Sequence, residues 1–317
     1  MRPFELTAPT TVDDALAEPG SYLAGGTTLV DLMKLDVLTP QRVLDINDLP
    51  LLGIDASDGL RVGALERMSD IAVHPGVYPM ISRALLLSAS QQLRNMASIG
   101  GNLLQRTRCG YFRDVTTPCN KREPGSGCPA ISGANRMHAV LGTSEKCVAT
   151  HASDVAVALV ALDAEIRLAS ATGTRTVRLA DFYRTPGDTP EVENDLRPGE
   201  LLTEVVVPRL DWAQRSTYVK VRDRQSYEFA LCSAAVAMDI RDGQVADARV
   251  AAGGVATVPW RLPAVEAALR GAPATEASFT AAAAVAADGA KPLSGNGVKV
   301  SLLRRTVVRA LIEGSRR

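Results

Sequence analysis

"SYLAGGTTLVDLMKLDVLTPQRVLDI" (Ser21–Ile46) decides how the N-terminal half of the chain folds. A short apolar stretch runs into two glycines, and an apolar series at helical spacing follows: Val30, Met33 and Val37, with Leu29 and Leu32 beside them. "RVLDI" then has the continuous, β-branched look of a buried strand. The stretch reads as strand, tight turn, helix, strand, a compact βαβ unit with Thr27 or Thr28 as the helix N-cap.

Working outward, "LRVGAL" is another short strand and "PMISRALLLSASQQLRNMA" one amphipathic helix, closed by a second glycine turn, "SIGGN" (Ser98–Asn102). From about Gln105 to Cys147 regularity is lost, and a stretch this long without it points to function or disorder. "HASDVAVALVALDAEIRLAS" restores order as a helix capped by Ser153 and then a strand. "PGDTPEVENDLRPGE" is a polar loop, and "LLTEVVVPRL" and "STYVKVRDR" are strands. A β-hairpin turning at Asp242-Gly243 follows. Helices around Pro263–Leu269, Ser278–Ala287 and Val300–Glu313 come last. The boundary falls near residues 210–218, dividing a domain of residues 1–212 from one of residues 213–317.

The 317 residues balance 35 Lys and Arg against 35 Asp and Glu, which gives no overall attraction to nucleic acid or anionic lipid. Aromatics make up 4%, too few for base-stacking platforms. No apolar run approaches a membrane span, and the N-terminus lacks a signal-peptide pattern. Five cysteines, an odd number, suit a reducing compartment better than a disulfide framework, so a cytoplasmic setting is expected.

Two features carry chemistry. "AGGTT" (Ala24–Thr28) follows a strand and opens a helix, so its glycines let a ligand approach the backbone and its free N–H groups suit a phosphate. It is neither a P-loop nor the full dinucleotide fingerprint. With "SIGGN" as a second turn in the same domain, a pair of amide cradles on two sides of one pyrophosphate becomes the better explanation. The other feature is four cysteines, Cys109, Cys119, Cys128 and Cys147, in an Arg- and Lys-rich segment. The paired knuckles of structural zinc are missing. Irregular spacing suits a cubane cluster, and Arg106, Arg108, Arg113, Lys121 and Arg122 with Gly110, Gly125 and Gly127 could offset its negative charge. A zinc site, or surface thiols beside a nucleic-acid-binding patch, stays open on spacing alone. Cys232, in "ALCSAAVAM", reads as a buried small hydrophobe.

Five ordered motifs, "YLAGGTTLVDLMK", "SIGGNLL", "HASDVAVALVALDA", "PGELLTEVVVP" and "YVKVRDRQSYEFALCSAAVA", resemble the FAD-binding medium subunits of the molybdenum hydroxylases, the xanthine dehydrogenase and aldehyde oxidoreductase family. The segments "QRTRCGYFRD", "PCNKREPGSGC" and "NRMHAVLGTSEKC" look like the subgroup whose flavin subunit carries an extra [4Fe–4S] cluster, as in bacterial periplasmic aldehyde oxidoreductases. The resemblance implies an α+β fold: a two-subdomain FAD-binding domain of the vanillyl-alcohol-oxidase (PCMH) type, then a smaller α+β C-terminal domain of the CO-dehydrogenase-flavoprotein kind. It implies a diphosphate site at Ala24, Gly25, Gly26, Thr27 and Thr28, lined by Leu23, Leu29 and Val30. A second turn contributes Ser98, Ile99, Gly100, Gly101 and Asn102. Asp154 contacts the cofactor, Leu202 lies near the flavin and Lys220 near its ring. Cys109, Cys119, Cys128 and Cys147 hold the cluster. None of the three histidines adjoins a glycine turn, so no covalent flavin link through His is expected.

The resemblance also implies the partners. Substrate chemistry belongs to a large molybdenum-cofactor subunit, and a small subunit with two [2Fe–2S] clusters passes electrons to FAD on this chain and on to an external acceptor. The chain shows no Ser–His–Asp or HExxH arrangement of its own. Neither nucleic-acid binding nor membrane insertion is expected, and a periplasmic location would follow from co-export with a twin-arginine-signalled partner. Rival readings are an independent flavin-dependent reductase or oxidase, and a zinc- or nucleic-acid-binding module.

Overall fold

The opening βαβ unit forms as its spacing predicts. In the computed structural model, which describes residues 1–316, it contains β1 (Glu5–Thr7), α1 (Val12–Ala17), β2 (Ser21–Leu23), α2 (Leu29–Lys34) and β3 (Arg42–Asp45). The three strands form a parallel sheet in the order β1-β3-β2. The central strand buries Val43 and Leu44, the latter in a small core with Ala15, Ile46 and Leu49.

A second unit follows: β4 (Ile54–Asp55), β5 (Leu60–Gly63), α3 (Met68–Val73), α4 (Pro79–Leu86), α5 (Gln91–Met96), α6 (Ile99–Leu103), α7 (Gly110–Arg113), α8 (Asp154–Ala161), β6 (Glu165–Ser170), β7 (Gly173–Arg178), α9 (Leu179–Phe182) and β8 (Leu201–Val207). Its antiparallel sheet has the order β4-β5-β8-β6-β7. Two expectations change here. The single amphipathic helix is two, α4 and α5, because Ala89 sits at φ 47° and Ser90 restarts the helix by accepting from Leu93 N–H. The second glycine turn opens a helix instead of closing one. Ser98 is the N-cap of α6 and accepts from Gly101 N–H.

The third unit comprises β9 (Ser216–Val221), β10 (Cys232–Arg241), β11 (Gln244–Gly253), β12 (Trp260–Arg261), α10 (Pro263–Leu269), α11 (Glu276–Ala283) and α12 (Val298–Ser315). Its antiparallel sheet runs β12-β11-β10-β9. Asp242 and Gly243, at φ 50° and 75°, make the hairpin turn the sequence calls for. Strand alternation splits β10 between two cores: Ala235 and Ala237 pack with α8, whereas Val236 and Met238 pack with α12. Alanines on the inner face let α8 lie close, and every residue of α8 is buried. The N-terminus of α8 is thereby fixed between the second and third units. No helix among the described residues is long and apolar enough to cross a membrane.

Candidate functional site

The turn after β2 is shaped by close approach. A Cβ on Gly25 would lie 1.9 Å from the Met96 carbonyl oxygen, and Gly26 takes φ 70°. The chain thus leaves the sheet with four successive N–H groups, those of Gly25, Gly26, Thr27 and Thr28, that find no partner among the described residues. Thr28 is the N-cap position of α2, although its side chain does not close the cap. Unpaired amides grouped at a strand-to-helix turn form an anion cradle.

The second turn lies opposite. Ala24, Gly25, Gly26, Thr27, Thr28 and Leu29 line one cavity of about 220 Å³ together with Ser98, Gly100, Gly101 and Leu202. Leu23, Val30 and Ile99 lie outside this lining, with Leu23 and Val30 packed against Gly26. The expectation of two amide cradles is corrected to one. At the second turn Ile99 N–H donates to Glu66, Gly100 N–H to Ala64, Gly101 N–H to the Ser98 hydroxyl and Asn102 N–H to the Ser98 carbonyl. This turn supplies bare glycine surface, which any ligand held by the first can approach. Arg106 also lines the cavity, with its guanidinium 3.0 Å from Glu193 and over the Phe112 ring.

Asn102 also lies outside the lining; its side-chain oxygen accepts from Ser153 Oγ at 2.6 Å, and Ser153 lines a larger cavity of about 680 Å³. Asp154 lines that space too. It accepts from Lys220 Nζ at 2.8 Å and from Tyr218 Oη at 2.7 Å, with Ser88 Oγ at 3.0 Å. Lys220 does not line the cavity. Its side chain is 1% exposed, and its ammonium is spent on Asp154 and the Leu87 carbonyl. Burial raises the Tyr218 phenol well above its ordinary range, as does the adjacent Asp154 carboxylate. His151, on the same wall, is held down to about 4 by desolvation.

The irregular segment folds around its cysteines. Cys109, Cys119, Cys128 and Cys147 all line one small enclosed space, with His138 among them. No disulfide forms. Burial pushes the Cys109 thiol up to about 11, and Cys128 and Cys147 in the same direction. Among the described residues no three His, Cys, Asp or Glu side chains converge closely enough to ligate a single metal ion. A zinc ion with Zn–S bonds of about 2.3 Å would need such convergence. The basic residues act otherwise than expected. Arg108 and Arg113 grip Asp31 of α2 at 2.7 and 2.5 Å, Arg106 and Lys121 pair with Glu193, and Arg122 donates to the carbonyls of Tyr111, Phe112 and Thr117. Arg106, Arg108, Arg113 and Lys121 are thus spent on carboxylates within the fold, and Arg122 on backbone oxygens. Cys232 is fully buried and far from ionising, as a small core residue should be.

Residues 2–210 match the family described as the FAD binding domain in molybdopterin dehydrogenase, and residues 217–314 match the CO dehydrogenase flavoprotein C-terminal domain. The chain belongs to the FAD-binding medium subunits of the molybdenum hydroxylases. It is 49% identical to the aldehyde oxidoreductase FAD-binding subunit PaoB of Escherichia coli K12, over 93% of this chain and 92% of that one. It is 33% identical to the glyceraldehyde dehydrogenase medium chain of Sulfolobus acidocaldarius, over 77% and 71% of the two chains. In fold it is similar to a chain of the carbon monoxide dehydrogenase of Hydrogenophaga pseudoflava, with 26% identity, a TM-score of 0.74 and coverage of 100% of this chain and 99% of that one. As in those medium subunits, an α+β FAD-binding domain precedes a smaller α+β domain. The first-turn cradle fits the cofactor the family binds, since four orphaned amides are what a diphosphate satisfies.

Sequence reasoning missed two residues of these sites. Arg106 reads as a cation of the cysteine loop, yet it also lines the amide cavity. His138 has no neighbour in sequence that marks it, and only the fold places it among the thiols.

Proposed function

We propose that this chain is the electron-transfer subunit of a molybdenum-containing aldehyde oxidoreductase, holding FAD across the two cavities and a [4Fe–4S] cluster on Cys109, Cys119, Cys128 and Cys147. The observation that carries the reading is the unpaired amide row at Gly25–Thr28, facing Gly100, Gly101 and Leu202 across one cavity. In this assignment the amides bind the diphosphate, the glycines of the second turn admit it, and Asp154 meets the flavin end of the cofactor. Lys220 and Tyr218 act as positioning residues that fix Asp154. FAD, when bound, supplies the exchange between single electrons and electron pairs that such a subunit requires.

The cysteine donor set supports the cluster. Four thiols and no carboxylate line the space, a soft set suited to iron–sulfur chemistry. Burial disfavours ionisation of Cys109, Cys128 and Cys147, and a cationic metal core beside them would offset that cost. Identity of 49% to a subunit named for aldehyde oxidation supports aldehydes as the substrate class. On this reading a large molybdenum subunit does the substrate chemistry, a small subunit with two [2Fe–2S] clusters delivers the electrons, and an external acceptor removes them. We place the domain boundary near residue 212, and location follows that of the assembled complex.

Anaerobic co-purification of the native complex tests this. The expected preparation contains FAD, iron and sulfide on this subunit, brings down both partners, and turns over aldehydes in preference to N-heterocycles with an artificial acceptor. A colourless, iron-free subunit that takes up no flavin would overturn it.

A further inference from the structure

One cysteine differs from the other three in what its sulfur meets. Cys109 Sγ lies 3.2 Å from His138 Nε2, within hydrogen-bond reach of a sulfur acceptor. Among the described residues no other side chain is hydrogen-bonded to any of the four sulfurs. Cys147 Sγ receives only the backbone N–H of Ala149, at 3.5 Å.

The imidazole is placed with care. His138 N–H donates to Asn135, its carbonyl accepts from Asn296, and the preceding Met137 carbonyl accepts from the buried Lys299 ammonium at 2.9 Å. The third unit thereby pins the segment that carries the ring. His138, Cys109 and Tyr111 each line both the thiol space and the larger cavity, so the imidazole stands in the wall between them.

We infer that His138 is a positioning residue for the cluster, donating an Nε2–H hydrogen bond to the Cys109 sulfur and raising the cluster's reduction potential. The inference rests on the cluster assignment above. An iron-bound thiolate has only lone pairs to offer, so the facing ring nitrogen carries the proton. A donor at the sulfur stabilises the more negative, reduced cluster over the oxidised one. Backbone donors persist through any substitution, which makes His138 the adjustable contact.

The test uses the assembled complex and an EPR-monitored redox titration. His138→Phe keeps a planar ring and removes the donor, while His138→Gln returns an N–H near the Nε2 position. A hydrogen bond to a charged sulfur shifts the reduction equilibrium by about tenfold, and tenfold in a one-electron couple is 59 mV. The phenylalanine variant should therefore titrate about 59 mV lower with unchanged iron and sulfide, and the glutamine variant should recover most of the shift. An unchanged midpoint in a fully loaded His138→Phe complex overturns the inference and leaves the cluster assignment standing. A wild-type complex with no iron or sulfide on this subunit overturns both. If His138→Phe does not assemble, ENDOR on wild-type complex carrying 15N-histidine decides: nitrogen coupling to the cluster supports the bond, and its absence overturns it.

Discussion

Replacing Lys220 by methionine removes one partner of a buried ion pair and leaves the other in place. Asp154 would keep the Tyr218 hydroxyl and lose the ammonium 2.8 Å away, at a site where the two side chains are 1% and 8% exposed. Solvent screening is negligible there, so the cost is that of an uncompensated buried charge, about 3–5 kcal/mol. At roughly 2–4 °C per kcal/mol for a domain of this size, the unfolding midpoint should fall by roughly 10 °C. The assay is thermal unfolding of the flavin-loaded subunit within the complex, followed by the rise in flavin fluorescence as cofactor escapes. A second variant, Asp154→Asn with Lys220→Met, removes both charges while the amide oxygen still accepts from Tyr218. It should regain most of the loss, because swapping a whole buried pair for neutral groups is commonly close to neutral. Two results would refute the reasoning: a Lys220→Met protein within 0.5 kcal/mol of wild type, or a double variant as unstable as the single effects summed.

Three further outcomes follow from the same geometry. Gly25→Ala drives a Cβ to 1.9 Å from the Met96 carbonyl and should abolish flavin retention, read as the flavin-to-protein absorbance ratio; Gly297→Ala, whose Cβ meets nothing nearer than 3.9 Å, should leave that ratio unchanged. The unfolded chain protonates His151 below about 6.5 whereas the folded chain resists until about 4, so stability falls as pH drops through that window, by about 3 kcal/mol in all. Denaturant midpoints at pH 7 and pH 5 measure this slope, and His151→Gln should flatten it apart from a same-sign contribution from His138, whose imidazole burial also lowers. Cys119→Ser should strip iron and sulfide from the subunit and weaken its hold on its partners in co-purification; full metal content would sink the four-thiolate assignment.

Patterning made much of this architecture legible. Helical spacing at Leu29–Met33 and strand alternation around Asp242-Gly243 are local signals, and the elements form where they stand. The break between α4 and α5 was hidden because Ala89 carries no sign in sequence of its left-handed backbone; the run 79–97 keeps its apolar spacing across it. The second glycine turn misled for a related reason. Gly-Gly beside a helix usually marks an end, but here Ser98 spends its hydroxyl on capping a new helix. The roles of the arginines were unreadable because their partners are remote. Asp31 lies 77 residues from Arg108, and Glu193 lies 87 from Arg106. In sequence those side chains look like an unpaired cationic loop, and only folding reveals the carboxylates.

Those remote pairs explain how an irregular segment holds position. Arg108 and Arg113 converge on Asp31, which belongs to α2, the helix that the amide cradle opens. Beneath the ion pairs, Leu32 of the same helix packs with Phe112 and Cys119 in a small core that Val37, Leu38 and Cys109 border. One short helix therefore carries the phosphate-type cradle at its N-terminus, the carboxylate that clamps the cysteine segment and the apolar contact under two of the thiols. A segment with so little regular structure cannot rely on a ladder of backbone bonds to fix its sulfurs. It is ordered by borrowing α2, and the amide cradle and the cysteine segment are on that account parts of a single construction.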